Sequence, residues 1–109
     1  MIEFDDFQKV DIRVGTVIDI QEFPEARNPS FKLKIDFGEL GIKQSSAQLK
    51  LEHSKEELLG RQVLAVVNFH PKRVANFDSE VLTLGLKGDN GGWVVITPMK
   101  KVGNGERLA

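Results

Sequence analysis

Two segments in the first third of the chain alternate apolar and polar residues with a period of two. A period of two is typical of a strand with one buried face, so both segments are predicted to be long strands. Gly15 lies inside the first segment, where a bend or bulge would cost least. The apolar positions are Ile12, Val14, Thr16, Ile18 and Ile20 in the first segment, and Phe31, Leu33, Ile35 and Phe37 in the second.

The connections after these two segments are rich in turn-forming residues. PEARNPS, at 24–30, joins the two predicted strands, and GELG, at 38–41, leads into the shorter and more polar segment IKQSSAQL. Proline, glycine, asparagine and serine between alternating segments indicate antiparallel hairpins. The first three strands are therefore expected to form one antiparallel sheet.

One short helix is predicted from SKEELLG, at 54–60. Ser54 can accept a hydrogen bond from the backbone N–H of Glu57, and the Glu57 carboxylate can reach back to the N–H of Ser54, which is a capping box. Gly60 suits the left-handed position that closes a helix. The helix separates the third predicted strand from the fourth.

Three further apolar runs follow, namely QVLAVVNF, EVLTLGL and WVVITP, with the turn sequence GDNGG before the last. The first and last are nearly continuous and are expected to lie deep in a barrel. Five or six short strands with one helix after the third are the order of an OB-fold, a five-stranded Greek-key barrel. The predicted class is all-β with one short helix.

Composition limits the chain to one domain and excludes several functions. Its 109 residues are 40% hydrophobic and 28% charged, which predicts a single domain over 1–109. The absence of cysteine excludes disulfides, thiol catalysis and thiolate zinc sites. An acidic N-terminus and the lack of a long apolar run predict a cytoplasmic protein without membrane insertion. The net charge of −1 provides no overall attraction to nucleic acid.

The chain has no recognisable catalytic or metal-binding pattern. His53 and His70 are the only histidines, and neither belongs to a pair with ligand spacing. A nucleophile elbow, a phosphate-binding glycine loop and a dinucleotide fingerprint are all absent. We therefore expect a binding protein without enzymatic activity, metal or cofactor.

The stretch VNFHPKRVANFDSEVL, at 67–82, carries two phenylalanines and a basic pair in what should be a plain connection. By residue type alone, Phe69 is more often a barrel plug than a ligand contact. Asn76 is expected to take the left-handed backbone of a turn. Glu80 enters an apolar run and therefore needs solvent or a partner, for which Arg73 or Arg13 is available.

Several motifs follow one another along the whole chain, and together, in their order and spacing, they resemble the EMAP-II-type tRNA-binding domain family. They are DFQKVDIRVGTV, FPEAR, LKIDFGELGIKQSSAQL, ELLGRQVLAVVNFHPKRVANFDSEVLTLG, WVVITP and VGNGERL. Within that family, QSSAQL and SEVL resemble the CsaA-type members more than the modules appended to methionyl-tRNA synthetases. Those modules commonly have Gly-Met after the serine, where this chain has Glu80 and Val81.

The resemblance implies an OB barrel with terminal extensions that form a homodimer, and a binding surface near the 68–80 loop. CsaA-type proteins are described as export-related chaperones, which implies unfolded polypeptides or preproteins as partners and makes the export machinery a possible one. Phe69 is the preferred recognition aromatic, because His70-Pro71 after it should hold the backbone extended. The predicted site comprises Ser45, Ser46, Asn68, Phe69, Lys72, Arg73, Phe77, Ser79 and Glu80.

A tRNA-binding module is the alternative, because aromatic and basic residues also suit single-stranded RNA. RNA would use a cationic stripe made of Arg13, Lys32, Lys34 and Lys43.

Hydrophobic residues at both termini exceed what one small barrel can cover, and a two-fold partner would cover them. The predicted dimer interface comprises Phe4, Phe7, Trp93, Val94, Val95 and Ile96.

Overall fold

The computed structural model describes residues 1–109 and contains nine strands, two short α-helices and one 3₁₀ turn at Gly38–Leu40. In chain order the elements are α1 (Phe4–Gln8), β1 (Ile12–Glu22), β2 (Phe31–Asp36), β3 (Ile42–Ala47), α2 (Lys55–Leu58), β4 (Gln62–Val66), β5 (Lys72–Val74), β6 (Phe77–Ser79), β7 (Leu82–Thr83), β8 (Gly85–Lys87) and β9 (Trp93–Val95).

Five of these strands form one antiparallel sheet in the order β3-β2-β1-β4-β7. The sheet curls until its edge strands β3 and β7 come into contact, so the barrel is nearly closed. β5 with β6 and β8 with β9 form two additional hairpins. This order confirms the predicted five-stranded OB-type barrel. None of the helices is long and apolar enough to cross a membrane.

β1 bends at a bulge, which changes the predicted alternation. Val17 pairs with Ile35 but Asp19 pairs with Lys34, so Ile18 is the extra residue. Val17 is consequently buried, whereas Ile18 is 42% exposed. The predicted site of the irregularity, Gly15, is not the bulge.

Gly15 instead makes room for the barrel interior. A Cβ atom at this position would lie 2.6 Å from Cγ2 of Ile35 and 2.8 Å from Cδ1 of Phe37. Both of those side chains are fully buried. Any larger residue at 15 would therefore displace core side chains.

The core consists of side chains from β1, β2, β4 and β9, from helix α2 and from the segments that close the barrel, and the partly buried Ala47 of β3 packs against it. The alternating residues of β2 are all buried, as their period predicted. The central cluster contains Val17, Phe31, Leu33, Ile35, Phe37, Leu49, Leu58, Val63, Ala65, Val81 and Val95.

The predicted helix α2 is present, with half of its expected capping box. The Ser54 hydroxyl accepts a hydrogen bond from the Glu57 N–H at 3.2 Å. The Glu57 carboxylate contacts Nδ1 of His53 rather than the N–H of Ser54. Gly60 has a φ of 84°, as expected for the closing residue.

Helix α1 was not predicted. At its start the Asp6 carboxylate accepts from the N–H of Glu3 at 3.0 Å, and the Asp6 N–H donates to the Glu3 carbonyl at 3.0 Å, so the capping-box spacing is present without a side-chain bond from Glu3. The fold therefore has two short α-helices instead of one. The presence of α1 gives Phe4 and Phe7 adjacent positions on one helix, with ring centroids 6.2 Å apart.

The 67–82 stretch is also more regular than a plain connection, because it contains the β5–β6 hairpin. Its left-handed residue is Ala75, with a φ of 52°, and not Asn76 as predicted. In the hairpin, Val74 pairs with Phe77, so Ala75 and Asn76 form a two-residue turn.

The C-terminal segment after β9 runs back along the barrel and is fastened to it by polar contacts. Thr16 donates to the Asn104 side-chain oxygen at 2.8 Å, and Nε2 of Gln62 donates to the Val102 carbonyl at 2.7 Å. Strand β9 does not lie deep in the barrel as expected: Trp93 and Val94 are exposed, and only Val95 is buried. Half of the run WVVITP is therefore exposed, namely Trp93, Val94 and Thr97.

Candidate binding groove

An open groove of about 990 Å³ lies beside the 67–82 stretch. Its walls come from the β1–β2 loop, the end of β3, the β5–β6 hairpin with the loop before it, and the β7–β8 region. The lining residues are drawn from segments 26–30, 46–49, 69–74 and 79–85, together with Trp93. This surface is hereafter called the groove.

Phe69 lines the groove with 54% of its surface exposed. The alternative interpretation, that it plugs the barrel, is therefore wrong. The preceding residue fixes its backbone: the Asn68 side-chain oxygen accepts from the N–H of Asp11 at 3.0 Å, and its NH₂ group donates to the Lys9 carbonyl at 2.8 Å. Asn68 thus binds the N-terminal segment and holds the chain next to Phe69.

Phe77, the second aromatic of the stretch, does not line the groove. Its ring packs edge-to-face on Phe23 with centroids 5.5 Å apart. The ammonium group of Lys32 lies over both rings, 5.2 Å from the Phe23 centroid and 5.8 Å from that of Phe77. This cluster fastens the β5–β6 hairpin to the end of β1.

The predicted serines form much of the seam between β3 and the segment that leads into β7. The Ser45 hydroxyl is buried and lies 2.8 Å from the Thr83 hydroxyl. The Ser79 hydroxyl accepts from the Ser46 N–H at 3.0 Å and donates to the Val81 carbonyl at 3.1 Å. Of the three predicted serines, Ser46 and Ser79 line the groove and Ser45 does not.

Glu80 finds its partner in the backbone of β3 and not in Arg73 or Arg13, the expected partners. Its carboxylate accepts from the Gln44 N–H at 3.0 Å, and its own N–H donates to the Gln44 carbonyl at 2.9 Å. The Gln44 side chain adds a bond to the Asp78 carbonyl at 2.9 Å. The carboxylate is therefore engaged where it lines the groove.

Two arginines and one lysine line the groove beside His70, and Glu80 is the only acidic residue that does so. Arg73 forms an exposed ion pair with Asp78, at 2.9 Å. Arg27 and Lys72 have no carboxylate within 4 Å. The predicted site included Lys72 and Arg73 but missed Arg27, whose position in the turn-rich 24–30 segment gave it no distinguishing signal.

The four cations of the predicted RNA stripe do not lie together. Lys32 and Lys34 point to one side of β2, where they are the cross-strand partners of Gln21 and Asp19 of β1. Lys43 pairs with the buried Ile35 and so belongs to the other side of the sheet.

Arg13, the fourth member of that stripe, is already occupied. By strand parity it shares the side of Val17. It donates to the Asp11 carboxylate at 2.6 Å and to the Gly105 carbonyl at 3.0 Å. The hydrogen bond to Asp11 raises the pKa of Arg13 above its ordinary value.

The residues predicted for a dimer interface divide into exposed and covered groups. Phe4 is 68% exposed, and Trp93 and Val94 are 41% and 39% exposed. Phe7 and Ile96 are half-buried, and Val95 belongs to the core of the chain itself. Trp93 also lines the groove, so the exposed apolar surface and the groove adjoin each other there.

Glu52 and His53, which lie outside the predicted site, hold the β8–β9 hairpin in place. The Glu52 carboxylate accepts from the N–H groups of Asn90 and Gly92, each at 2.9 Å. Nε2 of His53 accepts from the Val95 N–H at 3.2 Å. Together they set the position of Trp93 at the groove.

Comparison with known proteins identifies relatives of two kinds. The family described as "Putative tRNA binding domain" matches residues 12–107. The methionine--tRNA ligase of Bacteroides fragilis is 36% identical over 107 residues, which is 98% of this chain and 16% of that protein. The chain thus spans about a sixth of the length of this curated relative.

Two solved structures match the chain along its full length. The chaperone CsaA from Bacillus anthracis is 50% identical, with a TM-score of 0.93, and the match covers 100% of this chain and 99% of that one. The CsaA chaperone protein from Picrophilus torridus is 45% identical, with a TM-score of 0.92, and both chains are covered completely.

Proposed function

Because this chain belongs to the family of putative tRNA-binding domains and matches its CsaA-type members over their whole length, we propose that it is a chaperone-like binding protein. Its ligands are unfolded or extended polypeptides, held in the groove around Phe69. The protein acts by binding alone and carries out no covalent chemistry.

The observation that carries this proposal is the exposure of Phe69 on an apolar groove. Leu82, Leu84 and Trp93 line the same groove, and its polar lining includes Ser46 and Thr83. Pockets of this composition bind ligands through apolar contacts and use a few polar groups for orientation. An unfolded polypeptide offers both apolar side chains and backbone groups for such contacts.

The similarity to full-length chaperones supports the same assignment. Both CsaA structures have the length of this chain, whereas the methionine--tRNA ligase contains the domain as about a sixth of its length. By the same similarity, preproteins bound for export are suitable ligands and the cytoplasm is the expected location. The exposed apolar side chains of Phe4 in α1 and of Val94 in β9 favour a homodimer.

Binding of tRNA is the second candidate function. The family description and the ligase relative favour it, and Phe69 beside Arg27 and Lys72 suits a stacked base with a neighbouring phosphate. Against it stand the net charge of −1 and the separation of Arg13 and Lys43 from Lys32 and Lys34. A polypeptide ligand therefore agrees better with the charge distribution.

A direct comparison of the two ligands tests the proposal. Fluorescence anisotropy would be measured with a labelled, permanently unfolded polypeptide and with a labelled tRNA, at equal ionic strength. We expect saturable binding of the polypeptide that is weakened by Phe69→Ala. Tight binding of tRNA without measurable binding of the polypeptide would overturn the assignment in favour of the second candidate.

A further inference from the structure

The charges of the groove are unbalanced. Arg27 comes from the β1–β2 loop, and Lys72 and Arg73 come from β5, so two separate segments supply cations. The only lining carboxylate, that of Glu80, accepts a hydrogen bond from the Gln44 backbone. The groove is therefore locally positive on a protein whose net charge is −1.

Two of the three cations are free to meet a ligand. Arg73 is the third cation, and it already forms an exposed ion pair with Asp78. Arg27 and Lys72 are exposed and have no carboxylate within 4 Å. An exposed cation gains little from a single contact, but two of them around one groove distinguish ligands of opposite charge.

The apolar residues of the groove give affinity without selecting a sequence. Phe69 and Trp93 are both large, exposed aromatic side chains that can accept many apolar partners. Because apolar contacts are non-directional, discrimination between segments must come from the charged groups around them.

We infer that the groove selects extended polypeptide segments in which acidic residues flank an apolar or aromatic residue, and that it disfavours basic segments. This inference rests on the proposed function and names the class of polypeptide that the groove binds. An RNA strand also carries negative charge, but its affinity depends on many phosphate contacts, whereas the groove offers two free cations.

Three labelled peptides of equal length test the inference. They share one Leu-Phe-Leu centre and differ only at two flanking positions on each side, which are Glu, Gln or Lys. At low salt we expect the Glu peptide to bind about tenfold more tightly than the Lys peptide, with the Gln peptide between them. The difference should shrink as salt is raised.

Charge reversal in the groove supplies the matching protein variants. Lys72→Glu should reduce or reverse the preference for the Glu peptide, and Arg27→Glu should act in the same direction. Lys100→Glu is the control, because Lys100 is exposed and lies outside the groove, and its substitution changes the net charge by the same amount as Lys72→Glu. The control should retain the order of the three affinities.

The possible failures are distinguishable. Equal affinity for the three peptides, or tighter binding of the Lys peptide, would overturn the charge preference and leave polypeptide binding intact. Failure of all three peptides and of a longer unfolded polypeptide to bind would overturn both proposals. Displacement of the Glu peptide by tRNA with a much steeper salt dependence would assign the groove to RNA.

Discussion

The hydroxyl oxygens of Ser45 and Thr83 lie 2.8 Å apart and join β3 to β7, the two edge strands of the sheet. The hydrogen-bonded sheet ends at these strands, so this side-chain contact joins two strands that no backbone ladder joins. Ser45 was predicted from its sequence position as a ligand contact. Its burial and its partner give it a role in closing the barrel.

A double-mutant cycle on this pair measures how much the contact stabilises the fold. Ser45→Ala leaves the Thr83 hydroxyl without its partner, and Thr83→Val leaves the Ser45 hydroxyl with only its 3.4 Å bond to the Ser46 carbonyl, and each change should cost about 1–3 kcal/mol. The double variant should lose less than the sum of the two, with a coupling energy of about 1 kcal/mol. Urea denaturation gives all three values. Strictly additive losses would show that closure does not depend on this contact.

Phe69→Ala should weaken polypeptide binding with little effect on folding. Since the ring is half-exposed, its loss should change the free energy of unfolding by less than about 1 kcal/mol. The loss of an interface anchor should weaken binding by about 2 kcal/mol. Phe37→Ala is the contrasting variant, because Phe37 is fully buried and its truncation should cost about 3–5 kcal/mol of stability. A large stability loss in Phe69→Ala, with unchanged affinity in the folded fraction, would remove Phe69 from the site.

The strands were predictable because the period of their apolar residues is local information. β2 has the predicted buried face throughout. The prediction failed inside β1, where one extra residue at Ile18 reverses the facing of the side chains. The residue types do not distinguish the bulge from a continuous strand, since Val17 and Ile18 are both β-branched and apolar.

The site was predictable only in part, because the partner of a polar side chain depends on distant segments. The exposure of Phe69 agrees with the expected position of a recognition aromatic. Glu80 was expected to pair with an arginine, yet its partner is the backbone of a strand 36 residues earlier. That contact exists only because the barrel curls until β3 meets the segment before β7.

Ionic strength separates the two candidate ligands. A protein making about six phosphate contacts would lose roughly 10³-fold in affinity between about 50 and 200 mM salt. For a polypeptide bound mainly through apolar contacts, we expect a loss of less than about tenfold. Arg13→Ala and Lys34→Ala should leave polypeptide affinity unchanged. A steep salt dependence that either variant reduces would assign binding to RNA.

Dimerisation is tested by sedimentation at micromolar concentration. We expect a species of twice the 12.2 kDa chain mass, because the exposed aromatic and aliphatic residues of the termini gain a partner surface. Phe4→Glu should shift the species toward the monomer. Leu59→Glu, at an exposed residue away from the termini, should not. A single 12 kDa species in the unmodified protein would contradict the proposed homodimer.

The stability of the fold should depend on Glu22 at acid pH. Hydrogen bonds from Lys50 and Lys55 lower the pKa of the Glu22 carboxyl below its ordinary value of 4.5. Its charged form is therefore favoured in the folded state, and the resulting stability is present above the unfolded pKa and lost as pH falls through the folded pKa.

The variant Glu22→Gln removes this contribution. Its free energy of unfolding should fall less steeply than that of the unmodified protein between about pH 5 and pH 3. Glu56→Gln is the control, because Glu56 is exposed and makes no ion pair. Identical pH profiles for the unmodified protein and Glu22→Gln would contradict the assigned pKa shift.

The contacts that Glu80 and Ser79 make with β3 also restrict how a polypeptide can be held. The outward N–H groups of Gln44 and Ser46 and the Gln44 carbonyl are the groups to which an incoming strand would pair, and all three are taken by the chain itself. This edge is therefore closed to β-augmentation, the binding mode in which main-chain hydrogen bonds to a sheet edge supply the affinity for an extended peptide. For the proposed polypeptide ligands we therefore expect side-chain contacts to supply more of the affinity, so that polypeptides of equal length and equal disorder differ in affinity according to their composition.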